Sequence, residues 1–116
     1  KGVIFVGAQQ LWAKIIGVVL VIVGIAGFFM GDSLIVFGIN LPHNIIHLVT
    51  GAIFLWAGFM KDAPVKMINQ TLGVIYVMIG IIGFFGVLAF LNVNTADNFL
   101  HLAIGIISAA LGWMAE

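Results

Sequence analysis

The stretch Gly17–Phe29, GVVLVIVGIAGFF, recurs as Gly73–Phe85, GVIYVMIGIIGFF, with eight of thirteen positions identical at an offset of 56 residues. From Asn40 to Met60 the match resumes against Asn94–Met114 at an offset of 54, again with eight identities, so the loop inside the first copy is two residues longer. Each copy has room for two apolar spans. Because two is even, tandem copies insert into a bilayer with the same orientation and are related by a pseudo-two-fold axis along the membrane normal.

A bilayer is where the composition puts the chain. Of 116 residues, 64% are hydrophobic and 7% charged, with mean hydropathy +1.32, which is more apolar surface than a soluble domain of this size can cover. Lys plus Arg equals Asp plus Glu, so there is no basic surplus for nucleic acid and no acidic tail. The absence of cysteine removes disulfides, thiolate metal sites and cysteine nucleophiles together. Lys1–Ala8 is too short for a separate signal sequence, and the apolar run from Leu11 reads as a retained span, not a cleaved targeting peptide.

Four segments are long enough to cross roughly 30 Å of hydrocarbon at about 1.5 Å per residue. They are Leu11–Met30, Pro42–Met60, Ile68–Leu91 and Ala96–Ala115, separated by turn-forming stretches around Gly31-Asp32-Ser33 and Asn40, Lys61-Asp62-Ala63-Pro64, and Asn92-Val93-Asn94-Thr95. The apolar runs are continuous, whereas a membrane barrel needs alternating strands of about ten residues. The expected fold is therefore all-α: an integral membrane four-helix bundle of two tandem hairpins, residues 11–60 and 67–115, in one transmembrane domain. Lys1, Lys14, Lys61 and Lys66 lie at the amino end or in the middle loop, which predicts both termini on the cytoplasmic side, with the other two loops facing outward. Lys14 lies just inside the first span, where its stem can snorkel to the headgroups.

At about 100° per residue, Asn98, His101, Gly105, Ser108 and Gly112 fall within roughly 80° of arc on the fourth span, and Asn44, His47, Gly51 and Gly58 take the equivalent arc on the second. That stripe predicts a protein-facing surface on which spans two and four meet, with glycines seven residues apart admitting close backbone approach. Gly17, Gly24 and Gly27, with Gly73, Gly80 and Gly83, have the same role on spans one and three. Trp12, Trp56 and Trp113, near the lysine-bearing ends, read as interfacial belt residues.

Chemistry has one candidate location. His43 and His47 are four residues apart, as are Asp97 and His101, so each pair projects from one side of its helix near the outer end. Convergence of the two spans would bring three imidazoles and a carboxylate together, flanked by Asn44 and Asn98. Such a set suits zinc or another divalent metal held by His43, His47, Asp97 and His101. A haem or pigment between His47 and His101, with Gly51 and Gly105 making room, is a second possibility, and a proton relay a third. Against all three stands a structural reading with no cofactor: Asn40 and Asn94 as helix N-caps, Asp97 in a positive first turn, and the remaining groups as interhelical hydrogen bonds averaging about 0.6 kcal/mol each.

The stretch VNTADNFLHLAIG from Val93, with HNIIHLVTG from His43, closely resembles small bacterial four-helix membrane proteins catalogued only as a domain of unknown function, whose signature is V-N-x-A-D-N-x-L-H-L-x-x-G. The resemblance covers nearly the whole chain. It implies fold and topology, a bacterial cytoplasmic membrane, and the presence of His43, Asn44, His47, Asp97, Asn98 and His101 at signature positions, but no activity. Small loops, glycine-lined faces and the lack of a nucleophile beside a base predict a non-catalytic protein. The expected role is an accessory subunit packing against other membrane subunits or itself, and the alternative is a metal or cofactor site on the His/Asp cluster. A transporter is disfavoured by the lack of a midplane site or a broken helix.

Overall fold

The computed structural model describes residues Val6–Met114; Lys1 and Ala115, used above for sidedness and for the end of the fourth span, lie outside them. Among the described residues there are four long helices, α1 (Val6–Gly27), α2 (Leu41–Phe59), α3 (Val65–Gly83) and α4 (Thr95–Met114). All four are long and apolar enough to cross a membrane. Large apolar side chains such as Leu11, Ile15, Ile22, Val49, Met78 and Ile106 cover the outside, as a lipid-facing surface requires.

Two helices stop short of the apolar runs that predict them. α1 ends at Gly27, before Met30, and α3 ends at the equivalent Gly83, eight residues before Leu91. In both copies the chain then tightens into i to i−3 bonds, Phe28 N–H to Ile25 O and Phe84 N–H to Ile81 O, before a glycine with positive φ, Gly31 or Gly86, turns it away. The continuous apolar pattern hides this, because the loop residues are themselves Phe, Val and Leu. The first loop also contains a small antiparallel ribbon, β1 (Ser33–Leu34) with β2 (Phe37–Gly38), and the second a single 3-10 turn at Ala89–Leu91.

Packing within each hairpin is a glycine contact, and the two hairpins repeat it position by position. A methyl group on Gly17 would lie 2.9 Å from Leu55 N, and one on its copy Gly73 would lie 2.5 Å from Ala109 N. Gly51 meets Val21 as Gly105 meets Val77, Gly58 meets Lys14 as Gly112 meets Gln70, and Gly24 meets Leu48 as Gly80 meets Leu102. Gly27 and Gly83 leave room for the carboxamides of Asn44 and Asn98.

This corrects the expectation that α2 and α4 pack face to face. Their glycine edges are used against α1 and α3, and the extensive helix contacts are α1 with α2 and α3 with α4. Glycine packing needs small residues at matching heights on the partner, and Gly17 opposite Gly51 and Gly73 opposite Gly105 supply them within each hairpin. The arc on α2 is thus divided: its Asn44/Gly51/Gly58 edge faces α1, and its His43/His47 edge faces the bundle axis.

Between the hairpins lies a buried core that includes Ile16, Leu20, Phe54, Ile68, Leu72 and Ile104. Within it, three residue pairs among the described residues hydrogen-bond from one hairpin to the other. Asn69 Nδ2 donates to Gln9 Oε1 (3.1 Å), Trp12 Nε1 to Ser108 Oγ (2.8 Å), and Thr50 Oγ1 lies 2.7 Å from Tyr76 Oη. At the symmetry-equivalent positions the chain has buried apolar pairs instead, Val65/Ala13, Ile68/Phe54 and Leu20/Ile104. Trp12 is therefore turned inward to a hydrogen bond and does not serve as a belt residue, while Trp56 and Trp113 are exposed as expected. The Lys14 ammonium sits 5.0 Å from the ring centroid of Phe59, at the end of the bundle that carries the α2–α3 loop.

Candidate functional site

The site forms where α2 and α4 begin, and both starts follow from their caps. Asn40 precedes α2 and its Oδ1 accepts the His43 N–H at 3.0 Å; Asn94 precedes α4 and its Oδ1 accepts the Asp97 N–H at 2.9 Å. Asp97 Oδ2 returns the bond by accepting from Asn94 N–H at 2.9 Å, completing a reciprocal cap, and accepts a second from Gly38 N–H at 2.9 Å. His43 and Asp97 thus hold the same third position of symmetry-related helices.

The two loops at this end are tied across each other by asparagine side chains. Asn40 Nδ2 donates to Phe90 O, Asn92 Nδ2 to both Asp32 O and Ile39 O, and Asn94 Nδ2 to Val36 O, each at 2.8 Å. Asn92 takes up a left-handed backbone conformation (φ 54°) to reach both carbonyls. Beneath this clasp, Leu91 is buried and closes the top of a cavity of about 20 Å³.

Three imidazoles surround that cavity, each almost wholly buried: His43 at 2%, His47 at 4% and His101 at 3% exposure. Ring centroids are 4.3 Å apart for His43–His47, 5.6 Å for His43–His101 and 6.1 Å for His47–His101. One nitrogen from each falls within 4.8 Å of the others. Nδ1 of His47 and of His101 has no hydrogen-bond partner among the described residues, and the His43 ring, whose nitrogens make no well-aligned bond, sits beside the Gly38 and Leu91 backbone. Unpaired buried polar atoms are costly, and the convergence of nitrogens from three adjacent imidazoles marks a place where an ion could supply the partner, although the accessible wall of the neighbouring cavity is apolar.

Of the predicted ligand set, His43, His47 and His101 come together and Asp97 does not join them. Its Oδ2 is held by two backbone N–H groups, so the carboxyl acts as a cap beside His43 and is not one of the converging donors. Asn44 and Asn98 are buried but lie against Gly27 and Gly83, away from the imidazole cluster. Tetrahedral zinc–imidazole bonds of about 2.0–2.1 Å put ligand nitrogens roughly 3.3 Å apart, so closure by about 1.5 Å at most would complete three bonds. A macrocycle does not fit: the cavity, about 20 Å³, is far smaller than a porphyrin.

Sequence reasoning missed Tyr76 and Thr50. Tyr76 lines the cavity, its ring centroid 5.6 Å from that of His101. The signal was present: Tyr76 is the chain's one tyrosine, it replaces Leu20 of the first copy, and Thr50 is replaced by Ile104 in the second. Comparison with known proteins shows that a family model described as a domain of unknown function (DUF4383) matches residues 10–114. No curated protein and no solved structure matches the chain.

Proposed function

The chain belongs to the DUF4383 family, and from its own residues we propose that it is an integral membrane protein that holds a transition-metal ion on His43, His47 and His101. The observation that carries the reading is the convergence of one nitrogen from each of three buried imidazoles to within 4.8 Å of the others, with Nδ1 of His47 and of His101 unpaired. The caps at Asn40 and Asn94 pair their polar atoms, whereas these nitrogens make no such bond. Imidazole is a good donor for zinc, copper, iron and nickel, and the chain offers no thiolate in competition.

The role is binding without a reaction. Ser108, the hydroxyl on the same stripe as His101, is engaged by Trp12, and the clasped loops leave little space for a substrate over the imidazoles. We place the protein in the bacterial cytoplasmic membrane with both termini cytoplasmic. Lys61 and Lys66 flank the α2–α3 turn, and the Lys14 ammonium lies beside Phe59 at that same end, which favours the histidine cluster on the outer side.

An accessory subunit docking on a larger membrane complex, or self-associating, is the second reading. Its support is the continuous apolar exterior. The glycine faces that would have favoured it are filled within the hairpins, so docking would have to use ordinary lipid-facing side chains. The deciding experiment is metal analysis of the full chain purified in mild detergent, alone and after incubation with each candidate ion. Retention of one ion per chain, reduced in His47→Gln and His101→Gln, is expected; a folded wild-type protein that takes up no ion ends the metal reading.

A further inference from the structure

The cluster differs from an ordinary zinc site in charge and in coordination number, and both differences point the same way. Its ligand atoms are neutral imidazole nitrogens. The nearest acid, Asp97, has Oδ2 engaged by Gly38 and Asn94 N–H and is not among the converging donors. The hydroxyl at the cavity wall is neutral as well. Thr50 Oγ1 lies 2.8 Å from Ile46 O and 2.7 Å from Tyr76 Oη, so the phenol is engaged by Thr50 and is not a free donor to the site.

Space sets the second limit. The cavity, about 20 Å³, accepts one water-sized occupant, and its remaining walls are Ile46, Ile79 and Leu91. An ion bound by the three nitrogens finds no fourth side-chain donor in this lining apart from the Tyr76 hydroxyl, which is engaged by Thr50. Zinc in proteins takes four ligands, and magnesium and calcium take six or more with oxygen donors. Burial adds an energetic preference, because the Born cost of removing an ion from water rises with the square of its charge, making a dication about four times as costly as a monocation. Asp97 is the one buried acid among the described residues, and its single charge balances a single positive charge.

Resting on the metal-binding reading above, we infer that His43, His47 and His101 form a three-coordinate, all-imidazole site for a monovalent soft cation, copper(I), with Asp97 as its buried counter-charge. Imidazole is an established donor to copper, and a closed-shell monovalent ion accepts three ligands with no geometric demand for a fourth. Asp97 is a positioning residue. It caps α4 four residues before His101, anchors the β2 end of the overlying loop through Gly38, and supplies charge without touching the ion.

The test compares ions on the full chain in detergent micelles without oxygen. Copper(I) is titrated against a chromophoric copper(I) chelator and zinc(II) against a zinc chelator, with helicity and elution volume recorded for every variant. One copper(I) per chain is expected, bound roughly 100-fold more tightly than zinc(II). X-ray absorption should give three nitrogen scatterers at about 2.0 Å and no sulfur. His101→Gln and His47→Gln should each weaken copper(I) at least tenfold, and Asp97→Asn by roughly tenfold, the range for groups behind the ligands. Zinc(II) binding as tightly as copper(I), or a fourth scatterer on copper, overturns this inference and leaves the metal reading standing. Retention of neither ion by folded wild-type protein overturns both.

Discussion

A single methyl group added at Gly105 tests the architecture and the site together. A Cβ there would lie 2.5 Å from Val77 N and 2.7 Å from Gly73 O, so it falls 0.9 Å short of the 3.4 Å at which ordinary contact begins. Both opposing atoms are α3 backbone, so no rotamer change relieves the clash and α3 and α4 must separate by about that distance. Overpacking of this kind costs about 1–3 kcal/mol, against a gain of about 0.5–1 kcal/mol from replacing a helical glycine by alanine, leaving a net loss of up to about 2.5 kcal/mol. At Gly51, the equivalent position, the nearest atoms are at 2.9 Å, so the shortfall is 0.5 Å and the loss smaller. At Gly7 nothing lies within 4 Å, and alanine should be neutral or stabilising. Unfolding in mixed micelles titrated with a denaturing detergent should therefore give the order Gly7→Ala, Gly51→Ala, Gly105→Ala from most to least stable. His101 lies one turn from Gly105, so the last variant should also retain less metal. If Gly105→Ala is as stable as Gly7→Ala, close backbone contact does not hold the second hairpin together.

Further outcomes follow from the loops and the inter-hairpin contacts. Asp97→Ala removes a charged acceptor shared by Gly38 and Asn94 N–H, bonds of a kind that contribute about 1.5–3 kcal/mol, so amide exchange at Gly38 should accelerate at least tenfold by NMR; unchanged exchange would falsify the capping role. Ser108→Phe alone overpacks a buried position and should cost about 1–3 kcal/mol, whereas Trp12→Ile with Ser108→Phe recreates the Ile68/Phe54 pair and should recover most of the loss; a double variant less stable than the single one contradicts the pseudo-symmetry argument. The chain has no cysteine, so Ser33→Cys and Asp62→Cys are clean reporters of sidedness. An impermeant thiol reagent applied to intact cells should label the first and not the second, and the reverse pattern inverts the topology.

The repeat made the four spans legible, and Asn40 and Asn94 were legible as caps because a carboxamide before an apolar helix has one obvious use. Where α1 and α3 stop was not, since Phe28, Phe29, Phe84 and Phe85 continue the apolar run past the last helical turn and only Gly31 and Gly86 mark the reversal. Helix pairing was hidden for a different reason. All four helices carry glycines at similar steps, so composition alone cannot tell whether the stripe on α2 faces α1 or α4; the answer depends on matching heights, which needs the loop lengths in three dimensions. The imidazoles still converge, because they occupy the edge of the stripe next to the glycines and face the axis when the glycines face the partner helix. Tyr76 and Thr50 escaped because attention went to what the copies share, and these two lie where the copies differ.

His43 and Asp97, the paired third positions of α2 and α4, carry a lesson about what duplication permits. Two separate hairpins meeting on a true dyad must present like groups in even numbers, so such a dimer could assemble two or four imidazoles and never three. Covalent joining lifts that restriction: one half can keep an acid to fasten its loop while the other turns the same place into a nitrogen donor. An odd donor count with one compensating carboxylate is thus a property that a symmetric pair of identical hairpins cannot have and the fused chain can.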